Sequence, residues 1–367
     1  MSLLDSIRYE ISQPDNTWPI IIIGAGSIVQ TAHLPAYQLA GFNVKGIYDL
    51  NAEKAEQIAQ NFDVPEVYQT VQELCKENGT DVIYDIAVPG SSILSVLEQL
   101  PNHCFVLMQK PMGETIEQAS EILKLCEKKG IIAAVNFQLR YAPYVVMAKQ
   151  MLAKKMIGDV CDIEIHVNVF TPWHLWDFLF SSARVEILYH SIHYIDLVRN
   201  LVGNPFGVFA KTTKHPNMKD LNSVKSAIIM DYGENLRVNI LTNHTHDFGL
   251  QNQDSYIKIE GTKGAIKIKM GVIMNYPDGV QDGFEYIILG KDEPKRWKDL
   301  PINGSWFPHG FIGSMEQLMN VRAGVTVTLD NSIQDCYNTM VCVEAAYQSI
   351  IPKITTYKTN KISPFLD

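Results

Sequence analysis

Short runs of apolar residues, rich in β-branched side chains, recur along the first third of the chain. Five of these runs predict strands that are buried on both faces: residues 19–23, 43–48, 82–88, 104–108 and 131–135. Four stretches between or after them have apolar positions at helical spacing: residues 36–40, 52–61, 92–100 and 115–129. Strands that alternate with helices indicate a doubly wound parallel sheet with helices on both faces, an α/β domain.

Beyond about residue 150 the pattern changes to an alternation of apolar and polar positions. Six strands are predicted there: residues 160–170, 208–213, 224–231, 236–242, 256–260 and 265–269. Because strands without an intervening helix pair antiparallel, we expect an open, mainly antiparallel sheet. Three helices accompany it, over residues 185–202, 311–323 and 332–350. The second part of the chain is therefore predicted to be an α+β domain.

Length and composition are consistent with two folded domains. The chain has 367 residues, of which 46% are hydrophobic and 19% charged, so it can bury a large core and is not of the disordered class. The net charge is −9 and no basic run is longer than a pair, so we expect no nucleic-acid partner. No stretch of 18 apolar residues is present, and the N-terminus lacks the apolar core of a signal peptide, so we expect no membrane association. Six cysteines without metal or disulfide spacing indicate a reducing, cytoplasmic setting.

A glycine turn follows the first predicted strand directly. Gly24 allows a tight turn, and Gly26 lets the backbone approach a pyrophosphate, which would lie at the start of the helix that begins with Ser27 and Ile28. Asp49 ends the second strand, where a carboxylate would bind ribose hydroxyls. A valine stands where the third glycine of this fingerprint is usual. An ordinary strand–helix turn is the alternative, but the context favours a dinucleotide site.

Four further segments complete a familiar pattern: Gln109-Lys110-Pro111, residues 136–141, residues 193–196 and the turn at residues 261–264. With them, the chain resembles the glucose-fructose oxidoreductase / inositol dehydrogenase (Gfo/Idh/MocA) family from about residue 20 to about residue 350. The resemblance implies an N-terminal Rossmann domain that binds NAD or NADP. It also implies a C-terminal domain that forms the substrate pocket and often the oligomer interface. Family members mostly oxidise or reduce a hydroxyl of a sugar, polyol or derivative.

The expected organisation follows from this resemblance and from the strand pattern. A dinucleotide-binding Rossmann domain is predicted at residues 1–138, with residues 1–17 as a tail. A substrate-binding and oligomerisation domain of the α+β class is predicted at residues 139–367. Its late helices are candidates for packing back on the first domain.

Two residues are candidates for the chemistry of alcohol oxidation. Lys110, in an apolar context, would stabilise the negative charge that develops on the substrate oxygen. His193, at the family's histidine position, would accept the hydroxyl proton, since imidazole titrates near neutral pH. The chain departs from the family where Gln109 replaces a glutamate and where Tyr189 replaces an aspartate that often assists the histidine. Tyr189 is therefore a rival base, whose phenolate a neighbouring Lys110 cation would favour, or a hydrogen-bond partner of the substrate or of His193.

Other polar and aromatic residues are candidates for binding. Substrate contacts are expected from Arg140, Trp173, His190 and His309. Cofactor contacts beyond the glycine turn are expected from Val88, Pro89, Gln109 and Lys110. Arg140 and Trp173 have structural alternatives, at the domain interface and in a hydrophobic loop. Glu186 lies on the same predicted helix stripe as Tyr189, His190 and His193 and is expected to act through His190. The histidines would also permit a zinc site, but nothing in the sequence brings His190 and His193 together with His244 and His246, so no metal is expected.

These observations predict an NAD-dependent oxidoreductase acting on a sugar or polyol. NAD is favoured over NADP because the Asp49 carboxylate would repel the 2′-phosphate. A non-catalytic, cofactor-binding regulator on the same fold is the alternative. The expected partners are a small-molecule substrate and further copies of the chain, as a homodimer or homotetramer through the C-terminal sheet.

Overall fold

The computed structural model describes residues 17–290 and 294–350. Within these ranges the first sheet has six parallel strands in the order β3-β2-β1-β4-β5-β6. The strands are β1 (Ile20–Ile23), β2 (Val44–Tyr48), β3 (Glu66–Val67), β4 (Ile83–Ile86), β5 (Phe105–Gln109) and β6 (Ile132–Asn136). Because β1 lies between β2 and β4, the strand order reverses there and leaves a crevice beyond the carboxyl ends. The prediction of a doubly wound parallel sheet is confirmed.

Five described helices connect these strands: α1 (Leu34–Ala40), α2 (Ala52–Asn61), α3 (Val71–Asn78), α4 (Ile93–Gln99) and α5 (Ile116–Lys129). The side chains of Asn51, Thr70 and Thr115 cap the starts of α2, α3 and α5 by accepting a backbone N–H. The sequence pattern predicts neither β3 nor α3. The strand has two residues and shows no alternation, and the helix has only eight.

Four further helices belong to the second half of the described chain: α6 (Pro143–Ala153), α7 (Ile192–Val202), α8 (Phe311–Arg322) and α9 (Ile333–Ile350). A π-helical turn at Ile187–Ser191 precedes α7. The apolar side of α8 joins the core of the parallel sheet. None of the described helices is both long and apolar enough to cross a membrane. The predicted tail lies, except for its last residue, outside the described residues.

The second sheet of the described chain has eight strands in the order β14-β13-β12-β11-β7-β10-β9-β8. They are β7 (Val160–Asn168), β8 (Gly207–Thr213), β9 (Lys225–Asp231), β10 (Arg237–Asn243), β11 (Asp254–Gly261), β12 (Gly264–Lys269), β13 (Gly283–Ile288) and β14 (Lys298–Asp299). The sheet is mainly antiparallel, as predicted, but β7 and β10 are parallel. The chain between β7 and β8 includes α7, and this crossover brings β10 beside β7. The strands β13 and β14 are not predicted.

Candidate active site

A cleft of about 760 Å³ lies between the carboxyl ends of the parallel strands and the C-terminal domain. Most of the predicted site residues line it: Gly24, Gly26, Ser27, Ile28, Asp49, Val88, Pro89, Gln109, Lys110, Tyr189, His190 and His193. The structure therefore brings the predicted cofactor residues and the predicted catalytic residues to one place. Arg140, Trp173 and His309 are not among the described residues that line it.

The glycine turn after β1 has the space that a pyrophosphate requires. Gly24 has a φ of +111°, and a Cβ on it would lie 2.5 Å from the carbonyl oxygen of Ala87. A Cβ on Gly26 would have no described atom within 4 Å, although this residue lines the cleft. The chain becomes helical at Ser27, so a helix N-terminus faces the same region. Gly24 is required by the turn itself, whereas Gly26 leaves room for a ligand, and together they fit a dinucleotide.

Asp49 joins the glycine turn to the end of β2. Its Oδ2 accepts a hydrogen bond from the Ala25 N–H at 2.7 Å, and its Oδ1 accepts one from the Asn51 N–H at 2.8 Å. A carboxylate oxygen has more than one lone pair, so both oxygens can still accept ribose hydroxyls. Lys54, which the sequence pattern does not identify, also lines this part of the cleft.

A buried hydrogen-bonded chain accounts for the amide at position 109. The side-chain nitrogen of Gln109 lies 2.6 Å from Nε2 of His33, and Nδ1 of His33 lies 2.7 Å from Oδ2 of Asp85. If the Nδ1 proton is donated to Asp85, Nε2 is an acceptor and the Gln109 amide donates to it. The Gln109 Oε1 accepts the backbone N–H of Lys110 at 3.1 Å. An ionised glutamate has no hydrogen-bond donor for the unprotonated Nε2 of His33, whereas the glutamine amide has one. Glutamine therefore fits the site.

Lys110 enters the cleft from the end of β5. Its Nζ donates a hydrogen bond to the backbone carbonyl of Tyr189 at 2.8 Å. Burial lowers the pKa of Lys110 to about 8, because the charged form is poorly solvated there. At neutral pH the side chain is still mostly protonated. It therefore carries a positive charge in a position to stabilise a developing alkoxide.

His193 lies on α7 and is almost fully buried. Its ring packs edge-to-face on Trp306, with the centroids 5.1 Å apart. Its Nδ1 is buried without a hydrogen-bond partner among the described residues. Burial, together with the charge of Lys110, lowers the pKa of His193 well below its usual range. The ring is therefore neutral at physiological pH, which is the state that a base requires.

The hydroxyl of Tyr189 is held by a carboxylate. It donates a hydrogen bond to Oε1 of Glu114 at 2.8 Å. Burial and this hydrogen bond raise the pKa of Tyr189 well above its usual value. Lys110 contacts the carbonyl of Tyr189 rather than its phenol, so the expected activation of a phenolate is not supported. Sequence reasoning missed Glu114, because no local pattern relates residues 75 positions apart.

A buried polar group lies beside the cleft histidines. Glu186 is fully buried; its Oε1 accepts the Ser191 hydroxyl at 2.6 Å and lies 3.5 Å from Nε2 of His244. Burial alone would raise the pKa of Glu186, but His244 and the Ser191 hydroxyl outweigh this effect and keep it below its usual value. The ring centroids of His190 and His244 are 4.5 Å apart. His244, which also lines the cleft, therefore contacts both Glu186 and His190, and the action of Glu186 through His190 stays a prediction.

Arg140 does not reach the cleft, contrary to the expected substrate contact. Its guanidinium is fully buried and donates to both oxygens of Asp196, at 2.6 and 2.5 Å, and to Asp335 at 2.7 Å. It also donates to the backbone carbonyl of Asp330. A buried guanidinium needs such partners because it has lost its hydration. Arg140 therefore connects the segment after β6 with α7 and α9.

Trp173 and His309 also lie outside the cleft, so the structure does not place either in contact with a substrate there. Trp173 is 4% exposed, and its ring packs edge-on against His190 and His244 at centroid distances of 4.9 and 5.8 Å. It supports the cleft wall from behind. Nδ1 of His309 accepts the Ser305 N–H at 3.2 Å, in the segment that precedes α8.

Comparison with known proteins identifies two parts of one oxidoreductase family in the chain. Residues 19–137 match the family described as "Oxidoreductase family, NAD-binding Rossmann fold". Residues 149–353 match "Oxidoreductase family, C-terminal alpha/beta domain". Together the matches cover most of the sequence.

Individual relatives are more distant. The chain is 25% identical over 224 residues to glucose-6-phosphate 3-dehydrogenase of Bacillus subtilis, a match that spans 58% of this chain and 62% of that protein, less than two thirds. It is 29% identical over 244 residues to trans-1,2-dihydrobenzene-1,2-diol dehydrogenase of Xenopus tropicalis, covering 66% and 70%. The fold is similar to that of an oxidoreductase from Agrobacterium radiobacter solved with NAD+, L-tartaric acid and magnesium, with a TM-score of 0.75, 19% identity and coverage of 91% and 96%. The chain belongs to the Gfo/Idh/MocA family of oxidoreductases, with an NAD-binding Rossmann domain at its N-terminal side.

Proposed function

We propose that the protein is an NAD-dependent dehydrogenase that transfers a hydride between the nicotinamide and a hydroxyl-bearing carbon of a sugar, polyol or sugar derivative. One observation carries this proposal: Lys110 and His193, a cation and a neutral base, line the same cleft as the glycine turn. A regulator that only binds the cofactor would need neither side chain.

The residues of this chain handle the proton and the charge of the reaction. NAD, when bound at Gly24, Gly26 and Asp49, supplies the hydride acceptor. His193 accepts the hydroxyl proton while the ammonium of Lys110 stabilises the oxygen as it becomes negative. The hydrogen bond from Lys110 to the carbonyl of Tyr189 holds the ammonium in place, so little reorganisation is needed during the reaction. In the reverse direction the protonated His193 returns the proton.

Turnover of NAD with a panel of sugars and polyols tests the proposal. We expect at least one compound to produce NADH with the wild-type protein and none to do so at a comparable rate with Lys110→Met. Lys155→Met is the matched control, since the side chain of Lys155 is 71% exposed and does not line the cleft. Binding of NAD without turnover of any compound in either direction would instead favour the regulator.

We also propose that copies of the chain associate through the C-terminal sheet as a homodimer or homotetramer. Phe209, Ile229 and Leu241 lie on the neighbouring strands β8, β9 and β10 and are 59%, 57% and 46% exposed. Phe209 and Ile229 are directly paired across the strands. A contiguous apolar patch of this kind is typical of an interface. Light scattering should give a mass above that of one chain, and Ile229→Lys should reduce it.

A cytoplasmic location is part of the proposal. All six cysteines are free thiols in the structure, and four of them are buried. Free thiols are typical of proteins in a reducing compartment.

A further inference from the structure

The proposed mechanism leaves three buried polar side chains behind the cleft without a role. His33 ends the helical turn before α1, Tyr37 lies on α1 and Asp85 lies on β4, and all three are fully buried. Oδ2 of Asp85 accepts the Tyr37 hydroxyl at 2.7 Å and lies 2.7 Å from Nδ1 of His33. The ring of Phe311, on α8, packs against the imidazole with a centroid distance of 5.0 Å. The imidazole is therefore held by a carboxylate at one nitrogen and by aromatic packing.

The hydrogen bonds of this group run in one direction, from Lys110 to Asp85. Because Oε1 of Gln109 accepts the Lys110 N–H, the amide nitrogen of Gln109 is the donor that faces Nε2 of His33, 2.6 Å away. This Nε2 is then an acceptor, so the ring proton is on Nδ1 and is donated to Asp85. In a buried, low-dielectric environment, each bond of such an aligned chain strengthens the next. The chain therefore fixes His33 as a single neutral tautomer.

The other end of the chain is the cation of the catalytic site. Lys110 is held at two points: its backbone N–H by Gln109 at 3.1 Å, and its Nζ by the carbonyl of Tyr189 at 2.8 Å. Gln109 lines the cleft, so its amide keeps the orientation that holds Lys110 only if its nitrogen is also bound. The structure gives this nitrogen to His33.

We infer that His33 is a positioning residue of the reaction, which fixes the Gln109 amide and, through it, the backbone of Lys110. The inference rests on the proposed function, in which the Lys110 ammonium stabilises the substrate oxygen. His33 is fully buried and is not among the described residues that line the cleft, so it acts through Gln109. A displacement of about 1 Å in a catalytic group can cost about 10²-fold in rate, so this contact contributes to kcat.

Two substitutions of His33 separate its contact with Gln109 from its contact with Asp85. A glutamine amide extends from the backbone about as far as Nε2 and can still accept from Gln109. An asparagine amide extends only about as far as Nδ1 and reaches Asp85 alone. Both variants place an amide in the same buried site, so we expect similar losses in the free energy of unfolding. We expect kcat to fall by about tenfold or more in His33→Asn and much less in His33→Gln, with little change in KM.

A double-mutant cycle shows whether His33 acts through Gln109. Gln109→Met removes both the acceptor of the Lys110 N–H and the donor to His33. If His33 acts through this amide, adding His33→Asn to Gln109→Met should lower kcat little further. Additive losses of kcat would show a separate structural effect of His33 and would overturn the inference.

The titration of Lys110 is a readout that needs no turnover. Burial lowers its pKa to about 8, and burial also keeps the neighbouring His190 and His193 neutral. Once its backbone anchor is lost, the ammonium is better solvated, so its pKa should rise toward the ordinary lysine value. We expect this rise in His33→Asn and Gln109→Met but not in His33→Gln. The pH dependence of Lys110 acetylation by acetic anhydride, followed by mass spectrometry of the cofactor-free protein, measures it.

The tautomer of His33 is measured on the wild-type protein, so this arm does not depend on the folding of a variant. Nitrogen-15 NMR of histidine-labelled protein should show a His33 ring that is neutral and protonated at Nδ1. A proton on Nε2 would leave the Gln109 amide without its acceptor and would overturn the inference.

The positioning role and the proposed function fail in different ways. Equal losses of kcat in His33→Asn and His33→Gln overturn the positioning role, as does a Lys110 pKa that is unchanged in His33→Asn. If the wild-type protein oxidises no compound but the Lys110 pKa rises in His33→Asn and Gln109→Met alone, the dehydrogenase proposal fails and the positioning of Lys110 by His33 stands.

Discussion

The two halves of the cleft are constructed differently. The cofactor half depends on backbone geometry at Gly24 and Gly26. A Cβ on Gly24 would collide with the carbonyl oxygen of Ala87, whereas a Cβ on Gly26 would meet no described atom within 4 Å. The catalytic half depends on side chains far apart in the sequence, such as Tyr189 with Glu114. A site made of backbone is specified by a short motif, because the motif itself sets the conformation. A site made of side chains is specified by the packing of the whole fold.

Burial also acts differently in the two halves. In the cofactor half Asp49 is only half-buried and accepts hydrogen bonds from two backbone N–H groups. In the catalytic half burial changes the chemistry, since it lowers the pKa of Lys110 to about 8 and that of His193 well below its usual range. The catalytic half is therefore the part whose activity should depend most on pH and on buried partners.

Loss of the buried ion pair behind the catalytic half should have the largest effect. Arg140→Ala leaves the carboxylate of Asp196 buried without its guanidinium, so we expect the free energy of unfolding to fall by about 3–5 kcal/mol. Arg237→Ala removes a pair with Asp162 in which the Arg237 side chain is 67% exposed, so solvent screens it and the stability should change far less than in Arg140→Ala. Denaturant unfolding monitored by circular dichroism measures both. An Arg140→Ala protein of normal stability with a raised KM would instead restore the substrate-binding interpretation.

The second effect concerns the cation of the catalytic half. Lys110→Met should lower kcat by about 10²-fold or more, since the charge acts on the developing alkoxide, while NAD affinity changes little. Steady-state kinetics and a fluorescence titration with NAD separate the two quantities. A variant that retains more than about a tenth of the wild-type kcat would contradict the role of Lys110.

Sequence reasoning described the cofactor half more completely than the catalytic half. The strand, the glycine turn and Asp49 are local signals, and all of them line the cleft. Lys110 and His193 were found through a family resemblance, and the structure places them in the same cleft. The partners of Tyr189 and His190 follow from packing alone: Glu114 is in a loop, and His244 follows the strand β10.

The misplaced residues show the same limit. Arginine is a residue type that often binds substrates, so the sequence favours that role for Arg140. Only the tertiary contacts with Asp196 and Asp335 show that its N–H donors are used inside the fold. The parallel pairing of β7 with β10 likewise cannot be predicted from the alternation of apolar and polar residues. That alternation shows which face of a strand is buried, but not which strand lies beside it.

The pH dependence of kcat/KM distinguishes the two candidate bases. Because the pKa of His193 is lowered, its proton-accepting form persists below the usual histidine range, so the acid limb should lie below about pH 6.5. The alkaline limb should lie near the pKa of Lys110, about 8, because activity is lost as the ammonium deprotonates. His193→Asn should remove the acid limb, and Tyr189→Phe should leave it in place. If Tyr189→Phe abolishes activity while His193→Asn merely raises KM, the roles are reversed.

Two glycine variants separate folding from binding in the cofactor half. Gly24→Ala places a Cβ 2.5 Å from the Ala87 carbonyl oxygen at a φ of +111°, so we expect it to destabilise the fold by about 1–3 kcal/mol. Gly26→Ala meets no described atom within 4 Å, so stability should be unchanged while NAD affinity falls by about tenfold. Thermal unfolding without cofactor and an NAD titration measure these effects. Equal loss of stability in both variants would argue against Gly26 as a ligand-facing position.

The smallest expected effect is on the choice between NAD and NADP, at the outer end of the cofactor half. Asp49→Asn keeps a side-chain acceptor but removes the charge that would repel a 2′-phosphate, so the preference for NAD should narrow by about tenfold or less. Lys54 lines the same end of the cleft and would attract that phosphate. Lys54→Met in the Asp49→Asn background should therefore increase the preference for NAD over NADP again. The ratio of kcat/KM for the two cofactors measures each step. A wild-type protein that favours NADP would show that Lys54, rather than Asp49, determines the cofactor.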